Sequence, residues 1–139
     1  MSKNDLSRKA WQRATNVLLW YSDNLREYAS LQAAAYNYGS QDSAGKPYPD
    51  PTAATAIRLV DGQRIRTLRD EIEAVEEAVA MLSPEHKEVI RRRFFEGQRG
   101  SQRKPRQYVF LQDVGYSERQ MKRICRTVIR RVAASLGEK

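Results

Sequence analysis

The sequence predicts an all-α protein. A long antiparallel helical hairpin of coiled-coil character comes first, and a unit of short helix, tight turn and longer helix follows it. Three observations predict this. Apolar residues recur at alternating spacings of three and four in two separate segments. Glycine and proline cluster between those segments, in Gly39–Pro51. The last segment places apolar residues on one helical stripe and cations mostly off it.

The first helix is expected from Leu6 to about Tyr38. Trp11, Ala14, Leu18, Tyr21, Leu25 and Tyr28 form its heptad seam, Val17 and Leu31 widen the apolar face, and Ala33–Ala35 keep helix propensity high. In the loop Gly39–Pro51, Asp50 is a candidate N-cap, with Pro51 at the first helical position, where its missing N–H costs nothing. A second helix is expected over Pro51–Leu82, weakened or bent at Asp61-Gly62, with Ile65, Leu68, Ile72, Val75, Val79 and Leu82 as its seam. Glu71, Glu73, Glu76 and Glu77 lie off that seam. Two helices alone make a thin core. Residues 1–82 are therefore read as an oligomerisation or interaction region, with Trp11, Leu18, Tyr21, Leu25, Tyr28, Ile65, Leu68, Ile72, Val75 and Val79 as candidates for burial against a second copy.

The remainder, 83–139, starts with Ser83 as cap, Pro84 at the first position and Glu85 at the positive helix end. Val89, Ile90, Phe94 and Phe95 form the buried face, Gly97 ends the helix, and His86 is read as a solvent-facing structural residue. Gln98–Arg106 has four cations, no acid and no large apolar residue, so it is expected to be a mobile basic arm. A short buried helix over Tyr108–Asp113 and a turn at Gly115 follow. Ser117 and Gln120 then form a capping box that opens a helix from Glu118 to Leu136. Met121, Ile124, Cys125, Val128, Val132 and Leu136 line its apolar stripe, with Cys125 read as a core residue.

The charge follows the same division. The chain of 139 residues carries a net charge of +8, yet residues 1–82 hold 10 Lys and Arg against 11 Asp and Glu, and residues 83–139 hold 15 against 6. The whole basic excess lies in the second part, which points to a polyanionic partner there. Other classes are excluded or disfavoured. No stretch approaches roughly 18 apolar residues, so no membrane span is expected. Met1–Asp5 runs into charge, so no secretory leader is expected and the location is read as cytoplasmic. One cysteine, Cys125, and one histidine, His86, leave no disulfide framework, no Cys- or His-based metal site and no basis for a Ser-His-Asp triad. Asp61, Asp70, Glu73 and Glu77 read as a solvated acidic face, so neither enzyme activity nor a cofactor is expected.

A short helix, a glycine turn and a capped basic helix suit a helix-turn-helix that reads double-stranded DNA. Ser117 faces the duplex at the helix N-terminus, where free N–H groups and the helix dipole favour a phosphate. Arg119, Gln120, Lys122 and Arg123 come within reach of base edges, and Arg126 and Arg130 meet phosphates further along. Arg99, Arg103, Lys104 and Arg106 of the basic arm are expected to add phosphate contacts. A dimer would place half-sites about one helical turn, or a multiple of it, apart.

Leu82–Ile90, Arg93–Gly97 and Val114–Arg123 resemble region 4 of the sigma-70 family, a resemblance that covers residues 82–136. With the N-terminal helix, the Pro/Tyr loop, the long second helix and the terminal Leu136–Lys139, the chain resembles the RinA/ArpU-type phage late transcription activators over nearly its whole length. The resemblance implies a promoter-proximal regulator of packaging and morphogenesis genes in a bacterial host, with RNA polymerase as a further partner. It also implies base reading by Arg119, Gln120, Lys122 and Arg123. Two departures stand out: Leu111 occupies the place of the usual small residue where the two helices cross, and the segment between Phe95 and Phe110 is longer by several residues. The alternative is a small-terminase-like DNA-recognition subunit of phage packaging, which also joins helix-turn-helix modules to helical oligomerisation hairpins.

Overall fold

The first helical stretch starts where Ser7, in extended conformation, accepts the Ala10 N–H on its hydroxyl at 3.1 Å. The computed structural model describes residues 6–40, 51–96, 98 and 103–137, and among these every regular element is helical and none is a strand. Helix α1 (Arg8–Leu19) buries Ala10, Ala14, Val17, Leu18 and Leu19. The continuous helix expected over 6–38 is interrupted once. Trp20 takes φ −96° and ψ 5°, in the sparsely populated bridge region, and α2 (Tyr21–Ser40) begins after it. The interruption lets α1 pack on the last helix of the chain while α2 runs along the next one.

Helix α3 (Pro51–Ala80) begins at the expected proline and passes through Asp61-Gly62 without a break. The expected Asp50 cap, the loop residues 41–50 and Gly97 lie outside the described residues. α2 and α3 are antiparallel: Asn24 meets Glu71 while Glu27, further along α2, meets Arg64, earlier in α3. The Arg64 fork grips both Glu27 oxygens, at 3.0 and 2.8 Å. Asn24, a buried polar residue, donates its amide to Glu71 Oε2 at 3.2 Å, so its burial is compensated. Glu71 is itself half-buried, and that burial pushes its carboxyl up against the opposing pull of Arg13 and Arg64.

Helix α4 (Pro84–Ile90) opens as expected, with Ser83 Oγ accepting the His86 N–H at 3.3 Å. It runs on into a π-helical turn, Arg91–Phe95, closed by the Glu96 N–H on the Arg91 carbonyl at 2.9 Å. Phe94 is buried there, and Phe95 lies against the Tyr21 ring, centroids 4.9 Å apart. A 3₁₀ helix, Tyr108–Val114, buries Leu111 completely. Helix α5 (Glu118–Ser135) then buries Met121, Ile124, Cys125, Val128, Ile129, Val132 and Ala133.

These faces form one hydrophobic core. Ala14, Val17, Leu18 and Leu19 of α1 and Ala74, Val75 and Ala78 of α3 pack with Val89, Ile90, Phe94, Leu111 and the apolar stripe of α5. The boundary at Leu82 and Ser83 is therefore one of charge, and the core crosses it. The expected oligomer seam changes accordingly. Leu18, Leu68, Ile72 and Val75 are buried within the subunit and have no surface left for a second copy. Trp11, Tyr21 and Val79 pack at the edge of the same core. The physical reason is that the hairpin is not a free-standing pair: α5 supplies the third apolar face that two helices lack. Leu25, at 39% exposure, and the half-buried Tyr28 and Ile65 are the seam residues that keep accessible surface and do not pack against this cluster.

Candidate nucleic-acid interface

The turn before α5 is built by local chemistry. Gly115 sits at φ 92°, a left-handed conformation that a side chain would strain, and its N–H bonds the Gln112 carbonyl at 3.3 Å. The capping box forms in both directions: Ser117 Oγ accepts the Gln120 N–H at 3.2 Å, and Gln120 Oε1 accepts the Ser117 N–H at 2.9 Å. His86, expected to face solvent, instead lies half-buried with its ring edge-on to Tyr116, centroids 5.5 Å apart, and so props the turn from α4.

With its apolar stripe buried, α5 turns the opposite face outward. Glu118, Arg119, Lys122, Arg123, Arg126, Thr127 and Arg130 line one open concavity of about 450 Å³. The cations fall at helical spacings of three and four, so they share a face that runs about 16 Å along the axis. Lys122 reaches Glu118 at 3.6 Å, an exposed i,i+4 pair of little energetic weight. The guanidinium groups of Arg119, Arg123, Arg126 and Arg130 form no ion pair or hydrogen bond with another described residue. Five cations against one carboxylate therefore make an unneutralised positive stripe.

Arg91, Arg92 and Arg93, outside this stripe, are treated differently. Arg91 bonds Glu88 and Glu96, and Arg92 pairs with Asp113 at 2.6 Å. The paired guanidinium groups hold the Glu88 and Asp113 carboxyls below their ordinary range. Arg93 lies over the Tyr108 ring, 3.8 Å from its centroid, and donates to the Arg106 carbonyl, while the Arg106 N–H returns to the Arg93 carbonyl at 2.8 Å. Tyr108 in turn contacts Cys125 of α5. Burial pushes the Tyr108 hydroxyl up to about 12, and burial also raises the Cys125 thiol. Arg93 and Tyr108 thus tie the 3₁₀ helix to the underside of α5, a role that no periodicity in the sequence signals.

Of the expected basic arm, Gln98 and Arg103–Arg106 make contacts with the rest of the fold, and residues 99–102 lie outside the described residues. Arg103 pairs with Asp23, lies over the Trp20 ring at 4.7 Å, and leaves its side chain only 9% exposed. Arg106 lies 3.6 Å from Glu96. The Gln98 side chain clasps the Lys104 backbone, its Nε2 donating to the carbonyl at 2.7 Å and its Oε1 accepting the N–H at 3.2 Å. The described part of the segment makes these contacts without large apolar residues, using an aromatic face, acids and backbone groups. Arg103 is consumed by the fold, Arg106 is held through its backbone while its side chain stays partly exposed, Lys104 keeps an exposed side chain, and Arg99 lies outside the described residues.

The structure therefore brings Arg119, Lys122, Arg123, Arg126 and Arg130 together, adds Thr127, and leaves Ser117 and Gln120 at the entrance as a mutual cap. Gln120 Oε1 is occupied there, so Nε2 is the end of its amide left to face a ligand. Among the described residues no group of His, Cys, Asp and Glu side chains forms a metal site, and no helix is long and apolar enough to cross a membrane. Comparisons with protein-family models, with curated proteins and with solved structures give no match to this chain.

Proposed function

We propose that the protein is a sequence-specific DNA-binding regulator in which the 3₁₀ helix, the Gly115 turn and α5 act as a helix-turn-helix. The observation that carries this reading is the stripe of arginines on α5 that form no ion pair or hydrogen bond with another described residue, while Arg92 and Arg103 do. A protein surface holds unneutralised like charges side by side at a repulsive cost, and a polyanion relieves it. The stripe is about 16 Å long and the major groove about 12 Å wide, so its ends reach both phosphate rows. In this reading Arg119, Lys122 and Arg123 address base edges, Arg126 and Arg130 meet phosphates, and the capped first turn with Ser117 and Gln120 meets the near strand. The resemblance to region 4 of the sigma-70 family and to the RinA/ArpU-type activators extends the proposal to a phage late-gene activator that works beside RNA polymerase. Leu25, Tyr28 and Ile65 are the seam residues proposed for self-association.

Footprinting of the full chain across DNA of its own source is the test. Discrete protected sites are expected, and Arg123→Ala should lose about 1–3 kcal/mol of discrimination at one base position. Arg126→Ala with Arg130→Ala should weaken binding to all sequences and flatten the salt slope by about two phosphate contacts. Uniform protection without discrete sites, or an unchanged salt slope, refutes the proposal.

A further inference from the structure

The break at Trp20 has no local breaker: the run Asn16–Asn24 contains neither glycine nor proline, and apolar heptad positions continue through it. Sharp departures from a helix otherwise arise where a side chain intrudes on it. Arg103 is the distant side chain that meets both flanks of this break. Its guanidinium lies over the Trp20 ring and pairs with Asp23, one residue on each side of Tyr21 and Ser22 in the first turn of α2. It comes from a distant part of the chain, and its buried Nε has no hydrogen-bond partner among the described residues. Trp20 meanwhile sits in the bridge region, and its N–H is shared between the Asn16 and Leu18 carbonyls.

We infer that the α1–α2 joint is a hinge latched by Arg103. With the latch closed, α1 stays on α5 and α2 leaves along α3 at a set angle. With it open, the joint relaxes toward the continuous helix that the residues of α1 and α2 favour by themselves. The latch joins the segment before the 3₁₀ helix to the helical hairpin, so the direction of the hairpin is coupled to the position of that segment. This inference rests on the geometry of the joint and does not require the nucleic-acid reading.

Spin labels on Gln12→Cys and Ala34→Cys, both exposed helical positions, measure the joint in the full chain. Cys125 is buried and is expected to stay unlabelled in the folded protein. A continuous helix would separate these positions by about 33 Å, and the latched chain should give a shorter, narrow distribution. Arg103→Ala should shift the distribution toward the longer distance or broaden it. Asp23→Asn, which removes the charge without emptying space, should shift it in the same direction by less. Arg103→Lys, which keeps the charge and loses the flat stack, should fall between wild type and Arg103→Ala. A circular dichroism melt of each variant establishes that it is folded. If Arg103→Ala loses the fold, the Asp23→Asn result decides. An unchanged distribution in the folded variants overturns the latch and assigns the break to Ser22-Asp23-Asn24 alone.

Discussion

Tyr108 shows how one buried hydroxyl reports on the site beneath the basic face. Its folded pKa of about 12 lies above the ordinary value of 10, so the fold favours the neutral phenol. The corresponding stability is fully present below pH 10 and is lost as pH rises from 10 to 12. Tyr108→Phe removes the titrating group. The stability difference between wild type and Tyr108→Phe, followed by urea denaturation, should therefore shift in favour of the Phe variant across that window. A difference that stays constant from pH 8 to 11.5 would show that burial does not hold the phenol neutral. Arg93 lies on this ring, which makes its guanidinium part of the same support, whereas Arg123 has no such partner among the described residues. The two residues look alike in sequence, each beside another cation. Only the three-dimensional neighbours separate a packed arginine from a free one, and for that reason Arg103 and Arg106 were illegible as structural residues while the α5 stripe was legible.

At the scale of the element, α5 was the most readable part of the chain. Its glycine turn, capping box and apolar stripe are local features, written within a few residues of where they act, and each appears as expected. Ser117→Ala deletes one half of the cap and should lower stability by about 1 kcal/mol, seen as a lower melting temperature with unchanged denaturant slope. A variant as stable as wild type would mean that the Gln120 side chain alone secures the first turn. The first helix was less readable. Its seam from Trp11 to Tyr28 is continuous in sequence, but the element is divided at Trp20, because the interruption depends on a residue of another segment. The π-helical turn at Arg91–Phe95 was not legible either. It takes form where Phe94 enters the core and Phe95 meets Tyr21, contacts between residues far apart in the chain.

For the whole molecule, the division of charge at residue 82 is not a division of the hydrophobic core. Most of the apolar seam positions are core-forming, with Leu25, Tyr28 and Ile65 left outside the main cluster, but periodicity does not say which helix covers which. Val128 and Val132 of α5 are fully buried in the same cluster as Leu18 of α1 and Val75 of α3. A fragment comprising residues 83–139 therefore exposes the underside of α5. It should show markedly less helix than the same residues contribute in the full chain, and no cooperative thermal transition. A fragment that melts cooperatively would establish a separable C-terminal domain.

This shared core also limits how the chain can be rearranged by recombination. Helix-turn-helix units are often imagined as cassettes that can be moved from one protein to another. Here the basic helix rests on residues encoded on both sides of the 41–50 segment, so a transplanted C-terminal piece would arrive without its floor. A functional chimera would have to carry α1, the last turns of α3 and α5 together. If α5 reads DNA as proposed, new specificity is then more easily reached by exchanging Arg119, Lys122 or Arg123 in place than by moving residues 83–139.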